Sequence, residues 1–167
     1  MKPKTEQNLK AAFAGESQAH MKYLVFADKA AKDGFSNIAR LFTAVSFAER
    51  VHATTHHNVV FGVKPTVDNL ATAIGGEKYE VDTMYPEFRA AAEQEGEAGA
   101  LTSIRFALEA EKIHAVMYAR AKEAAASGKD FAVGAIFVCP VCGHTAEGSA
   151  PDPCPVCGAK KESFRKF

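Results

Sequence analysis

The sequence predicts a mainly α protein: a four-helix bundle followed by a small C-terminal β domain held by metal knuckles. Three observations predict it. Residues 5–126 carry apolar side chains at helical spacing almost throughout. Each helical stripe is interrupted near its middle by glutamate. All four cysteines fall in two matching Cys-x-x-Cys turns between Cys139 and Cys157.

A chain of 167 residues fits one domain with a small appendage. The division expected is 1–130 for the helical domain and 131–167 for the cysteine domain. Basic and acidic residues balance at 20 each, which argues against a nucleic-acid partner. No run approaches the length of apolar sequence that spans a bilayer, so no membrane partner is expected. Met1-Lys2-Pro3-Lys4 opens a segment without the apolar core of a secretion signal. The expected location is the cytoplasm.

Thr5 is the expected N-cap of the first helix and Asp33-Gly34 its stop. Ser36 is the expected cap of a second helix running to about Phe61. Gly62-Val63-Lys64-Pro65 breaks the pattern. A third helix is expected from Thr66 to about Glu95-Gly96, with a kink where Gly75-Gly76 and Pro86 interrupt it. A fourth runs from about Glu97 to Ala126. Ser127-Gly128-Lys129-Asp130 reads as a linker, and Phe131 to Val138 as a strand. The Gly- and Pro-rich tail is too small to bury a sufficient core and needs a staple.

Glu16, Glu49, Glu77 with Glu80, and Glu111 sit on the apolar stripes. His52 and His114 follow Glu49 and Glu111 by three residues, which puts each pair on one helix face. One such glutamate is commonplace. Four helices that each bury a carboxylate require a shared positive charge, because an uncompensated buried carboxylate costs several kcal/mol. Two metal ions supply it. A Glu from each of two helices plus two Glu-x-x-His pairs is the di-iron carboxylate arrangement of four-helix bundles. Iron or manganese suits the ligands; zinc also fits but is redox-silent. Glu93, Glu95 and Glu97 are a rival set. They lie at a helix end, roughly 20 Å from the level of the others at 1.5 Å per residue, and read as a solvated face. Glu87, His20, His56 and His57 are assigned surface or helix-end roles.

Cys139-Pro-Val-Cys142-Gly143 and Cys154-Pro-Val-Cys157-Gly158 each point two thiolates at one ion. A four-thiolate site selects zinc or iron. Zinc makes a structural ribbon, iron a one-electron carrier.

These residues together resemble the rubrerythrin family. The resemblance is carried by Ala14-Gly15-Glu16-Ser17-Gln18-Ala19, Ala48-Glu49-Arg50-Val51-His52, Gly76-Glu77 through Glu80, Met84-Tyr85-Pro86, Glu111 through His114, and both knuckles. It covers almost the whole chain. It implies a ferritin-like four-helix domain followed by a rubredoxin-like domain. It implies two irons, oxo- and carboxylate-bridged, in the first and one iron on Cys139, Cys142, Cys154 and Cys157 in the second, with zinc able to replace iron in either. Glu49 and Glu111 would bridge the irons. Glu16 would be terminal on one, and Glu77 with His114 on the other. Glu80 and His52 would exchange as ligands of the first iron with redox state. Tyr23 and Tyr85 match outer tyrosines that hydrogen-bond ligand carboxylates. One departure is His144, where the family often has an aromatic residue.

The activity implied is two-electron reduction of hydrogen peroxide to water. Electrons would pass singly through the cysteine-bound iron from a reduced pyridine nucleotide, by way of a separate reductase. No nucleotide-binding loop is present in the sequence, so the chain itself is not expected to bind NADH. The competing readings are a ferroxidase that handles iron for storage, and a structural bundle with a zinc ribbon.

In ferritin-like bundles the second and third helices run parallel, so their connection travels the bundle length. The second helix is roughly 39 Å long at 1.5 Å per residue. Gly62 to Pro65 reaches about 13–18 Å when extended. The mismatch leaves a later start for the third helix, a plain up-down bundle, or an exchange of helix pairs between two chains. The exchange is preferred, giving a helix-exchanged homodimer.

Overall fold

A computed structural model describes all 167 residues. The chain packs as two compact units, Met1–Val63 and Lys64–Phe167.

The first unit is a helical hairpin of α1 (Pro3–Lys32) and α2 (Ser36–Val60). Helix α1 starts two residues before Thr5, the expected cap. Pro3 opens it, where a fixed φ and a missing N–H cost nothing. Asp33 ends it, and Gly34 turns the chain at φ +84°, a left-handed value open to glycine. Ser36 is the first helical residue rather than the cap, and Phe35 occupies the cap position. The buried positions are small: Ala27 and Ala30 on α1, Ser46 and Ala53 on α2.

His20 and Ser46 tie the two helices together. The His20 Nδ1–H is shared between the Ser46 carbonyl at 2.9 Å and its hydroxyl at 2.8 Å. The Ser46 hydroxyl donates back to the His20 carbonyl at 2.9 Å. His20 is therefore an interhelical lock, not the surface or helix-end residue expected. Phe13, His57 and Phe61 pack edge to face further along the hairpin, so His57 is a packing residue. Two helices bury little more than this. Val25, Leu41 and Phe47 are 57–62% exposed.

The second unit contains α3 (Thr66–Tyr79), a π-helical segment (Glu80–Met84), α4 (Tyr85–Glu95) and α5 (Ala98–Ala126). The irregularity expected at Gly75-Gly76 and Pro86 lies between them. Gly75 and Gly76 stay in regular helix, while Tyr85 N–H bonds the Glu80 carbonyl, five residues back. The wide turn takes in one extra residue and delivers Pro86 to the first turn of α4, where its missing N–H is not needed. Gly96 closes α4 in the left-handed conformation.

Helices α3 and α4 pack on α5. After α5 come three short antiparallel strands: β1 (Ile136–Val138), β2 (Thr145–Glu147) and β3 (Arg165–Lys166), in the order β2-β1-β3. The strand expected over 131–138 is confined to its last three residues. Phe131 lies instead under the Arg120 guanidinium, 5.1 Å from its ring centre. Cys139, Cys142, Cys154 and Phe164 form the core of the β region, with Phe106 of α5 packed against it. Arg105 donates to the Val156 carbonyl at 2.8 Å, and Arg120 pairs with Glu147, so α5 is the platform for the tail.

Candidate metal centres

Three groups of metal-ligating side chains form, each within one unit. On the hairpin, Glu16, Glu49 and His52 bring their ligand atoms within 4.8 Å of one another. On the second unit, Glu77, Glu111 and His114 do the same, as do the four cysteines. These are the residues the stripes and knuckles single out.

The two Glu-x-x-His pairs share a geometry. One helical turn puts His52 Nδ1 2.9 Å from Glu49 Oε2, and His114 Nδ1 2.6 Å from Glu111 Oε2. Their settings differ. The His52 side chain is 55% exposed, that of His114 30%. The glutamates of both pairs are more than four-fifths covered.

Like charges crowd the second group. Burial pushes Glu77 up, and the adjacent Glu111 carboxyl, hydrogen-bonded to it, and the Glu80 charge push further, to about 7. Burial and the Glu111 charge also raise Glu80, against the opposing pull of His114. Burial raises the Tyr85 hydroxyl too, followed by the charges of Glu80, Glu111 and Glu77. The Tyr85 hydroxyl thus feels all three carboxylate charges and holds its proton more tightly. Glu80 borders the Glu77 group, at the first residue of the π turn. Tyr23, on the hairpin, packs against Phe26 and Phe42. Carboxylates at this range cannot all ionise without a proton or a cation between them. The oxygen-rich donor set with imidazole suits iron or manganese.

The cysteine site repeats one motif twice. Gly143 N–H bonds the Cys139 carbonyl at 2.9 Å, as Gly158 N–H bonds that of Cys154. Cys139 N–H reaches the His144 carbonyl at 2.9 Å, and Cys154 N–H that of Ala159 at 2.8 Å. Gly143 and Gly158 stand at φ +77° and +79°, which a side chain would strain. The sulfurs of Cys139 and Cys157 approach to 3.5 Å, those of Cys142 and Cys154 to 3.6 Å. All four are free thiols. Burial pushes Cys142 up. Burial acts the same way on Cys154, but the N–H groups of Cys157 and Val156 and the neighbouring sulfurs outweigh it and bring Cys154 down to about 7. Four convergent thiols aided by N–H donors fit a tetrahedral soft-metal site.

Glu93, Glu95 and Glu97 are exposed, with Glu93 paired to Arg89, as the solvated-face reading expects. Glu87 is exposed as well. The sequence reading missed Thr145: its hydroxyl lies 2.9 Å from His114 Nε2.

The rubrerythrin family model matches residues 7–122, and the model for the rubrerythrin rubredoxin-like domain matches residues 137–165. The chain belongs to the rubrerythrin family. Rubrerythrin-2 of Clostridium acetobutylicum is 39% identical over 177 residues, covering 98% of this chain and 96% of that one. Nigerythrin of Nitratidesulfovibrio vulgaris is 36% identical, covering 98% and 86%. The solved structure of fully reduced, all-ferrous nigerythrin superposes with a TM-score of 0.58 at 33% identity, over 98% of this chain and 86% of that one. The ferritin-like helical region and the small rubredoxin-like region of the rubrerythrins are thus both present. No helix is long and apolar enough to cross a membrane.

Proposed function

We propose that this protein is a peroxide-reducing oxidoreductase, with a di-iron centre in the helical region and a third iron on the cysteines. The crowding of Glu77, Glu80, Glu111 and His114 carries the reading, because it calls for bound positive charge. The all-ferrous nigerythrin structure supports iron as the metal. Glu16, Glu49 and His52 would supply the rest of the ligand set, and Glu49 and Glu111 would each be shared between the two ions.

A pair of irons held by these residues would supply the two electrons that peroxide takes up when its O–O bond breaks. With two protons the products are two waters. Tyr85 keeps its proton under the charges of these carboxylates, and its role in this reading is to hydrogen-bond and orient them. Cys139, Cys142, Cys154 and Cys157 would hold an iron able to take electrons singly from an external reductase. The protein works in the cytoplasm.

The working form is a homodimer in which helix pairs are exchanged. Only Phe61 to Pro65 separate α2 from α3, too few residues for a crossover the length of α2. Each hairpin face also exposes Leu41, Phe47 and Val51, which a second copy would cover. Each di-iron site then takes Glu16, Glu49 and His52 from one chain and Glu77, Glu80, Glu111 and His114 from the other.

Peroxide-dependent oxidation of a reduced donor by iron-loaded protein tests the activity. Glu111→Ala should abolish turnover; unchanged turnover would refute the site. Glu49→Ala and Glu111→Ala chains, refolded together, test the exchange. Mixed dimers should regain one intact site, and no recovery would rule the exchange out.

A further inference from the structure

The two Glu-x-x-His pairs differ in one respect that side-chain spacing does not explain. The His52 ring has one hydrogen-bonding partner, Glu49, at Nδ1. The His114 ring has partners at both nitrogens: Glu111 at Nδ1 and the Thr145 hydroxyl at Nε2. Thr145 belongs to β2 of the cysteine region and is 6% exposed.

The direction of that bond is set on the Thr145 side. Its hydroxyl proton is committed to the Gly143 carbonyl at 3.1 Å. Toward His114 the hydroxyl oxygen has only lone pairs to offer, so it accepts and Nε2 carries the hydrogen. In the metal-free chain Nδ1 shares a hydrogen with the Glu111 carboxylate at 2.6 Å, and it is this hydrogen, not the one on Nε2, that a metal would displace. Gly143 follows Cys142 directly and is itself fixed by its bond to the Cys139 carbonyl. The fold of the first knuckle therefore holds the hydroxyl that holds the histidine.

We propose that Thr145 is a positioning residue for the carboxylate metal centre. It keeps a hydrogen on His114 Nε2 and so leaves Nδ1 as the nitrogen for the metal, while His52 has no such clamp. Knuckle and carboxylate cluster are thereby joined through two hydrogen bonds, Gly143 O to Thr145 Oγ1 and Thr145 Oγ1 to His114 Nε2. The inference rests on the proposed metal centre; its tests separate the two.

The first test needs no variant and no metal in the carboxylate site. Nitrogen–proton correlation NMR on the full chain, with zinc on the cysteines, reads which ring nitrogen of His114 bears the hydrogen. An Nε2–H signal is expected; a ring protonated at Nδ1 alone would overturn the proposal. The second test titrates the same protein with Co(II) and follows the carboxylate-site absorption. Thr145→Val, which keeps the shape and removes the hydroxyl, should weaken Co(II) binding about tenfold or more, and Thr145→Ser should stay within about threefold of the parent. The thiolate spectrum reports whether the knuckles remain folded. Equal affinity in Thr145→Val, or equal weakening in Thr145→Ser and Thr145→Val, would overturn the role of the hydroxyl. Failure of the parent itself to bind Co(II) at the carboxylates would instead overturn the metal centre.

Discussion

Glu77 on α3 and Glu111 on α5 bring carboxyl groups into hydrogen-bonding contact, and the proton they share holds Glu77 as an acid up to about pH 7. The sign of the resulting pH dependence follows. Glu77 is harder to ionise in the folded chain than in the unfolded one. Its contribution is fully present below about pH 4.5 and is lost as pH rises through about 7. Metal-free protein should therefore lose stability over that interval, by about 1 kcal/mol once solvent screening is allowed for. Bound divalent metal should reverse the trend, because it favours the ionised carboxylates. Denaturant midpoints with and without metal across pH 5–8 check this.

Ser46 has none of its surface exposed and bonds His20 both ways across the hairpin. Ser46→Ala removes the hydroxyl that bridges the His20 ring and carbonyl and should cost about 0.5–1.5 kcal/mol. Thr43→Ala removes an exposed hydroxyl on the same helix and should cost about 0.3 kcal/mol or less, below the Ser46 change. Thermal unfolding of the two variants makes the comparison.

The Glu-x-x-His and Cys-x-x-Cys spacings were legible because their geometry is local. One helical turn fixes Glu111 against His114, and one tight turn fixes Cys139 against Cys142. The π turn at Glu80 was not legible, because it is a change of backbone pairing that leaves no mark in apolar periodicity. His20 and Ser46 lie 26 residues apart and Thr145 lies 31 from His114. Only the packing of separate elements brings such pairs together. Leu41 lies on an apolar stripe of α2 and is nonetheless 62% exposed in the single chain. A periodic stripe shows that a residue faces a partner without showing that the partner is in the same chain.

Glu80 opens the wide turn beside Glu111 and His114. Glu80→Ala should keep the fold and most of the iron, because the other carboxylates and His114 remain. Peroxide turnover should fall by about tenfold or more, the usual cost of losing a metal-site partner. Turnover at saturating donor is the measurement, and an unchanged rate would make Glu80 a spectator.

Cys142 sits in the first knuckle, remote in sequence from every carboxylate ligand. Cys142→Ser should slow peroxide oxidation of a chemically prereduced carboxylate centre no more than Thr145→Val does, while blocking steady-state turnover with a reductase. Survival of steady-state activity would reduce the tail to a structural role.

The central claim is that the helical ligands hold two irons that deliver their electrons to peroxide together. Anaerobic protein reconstituted with iron should contain about three irons per chain, two on the carboxylates and one on the cysteines. One equivalent of hydrogen peroxide per chain, added to this fully reduced form in a stopped-flow Mössbauer and absorbance experiment, should oxidise both carboxylate irons in a single fast phase. A single iron per chain bound through cysteine, or two carboxylate irons that peroxide oxidises no faster than free ferrous ion, would contradict it.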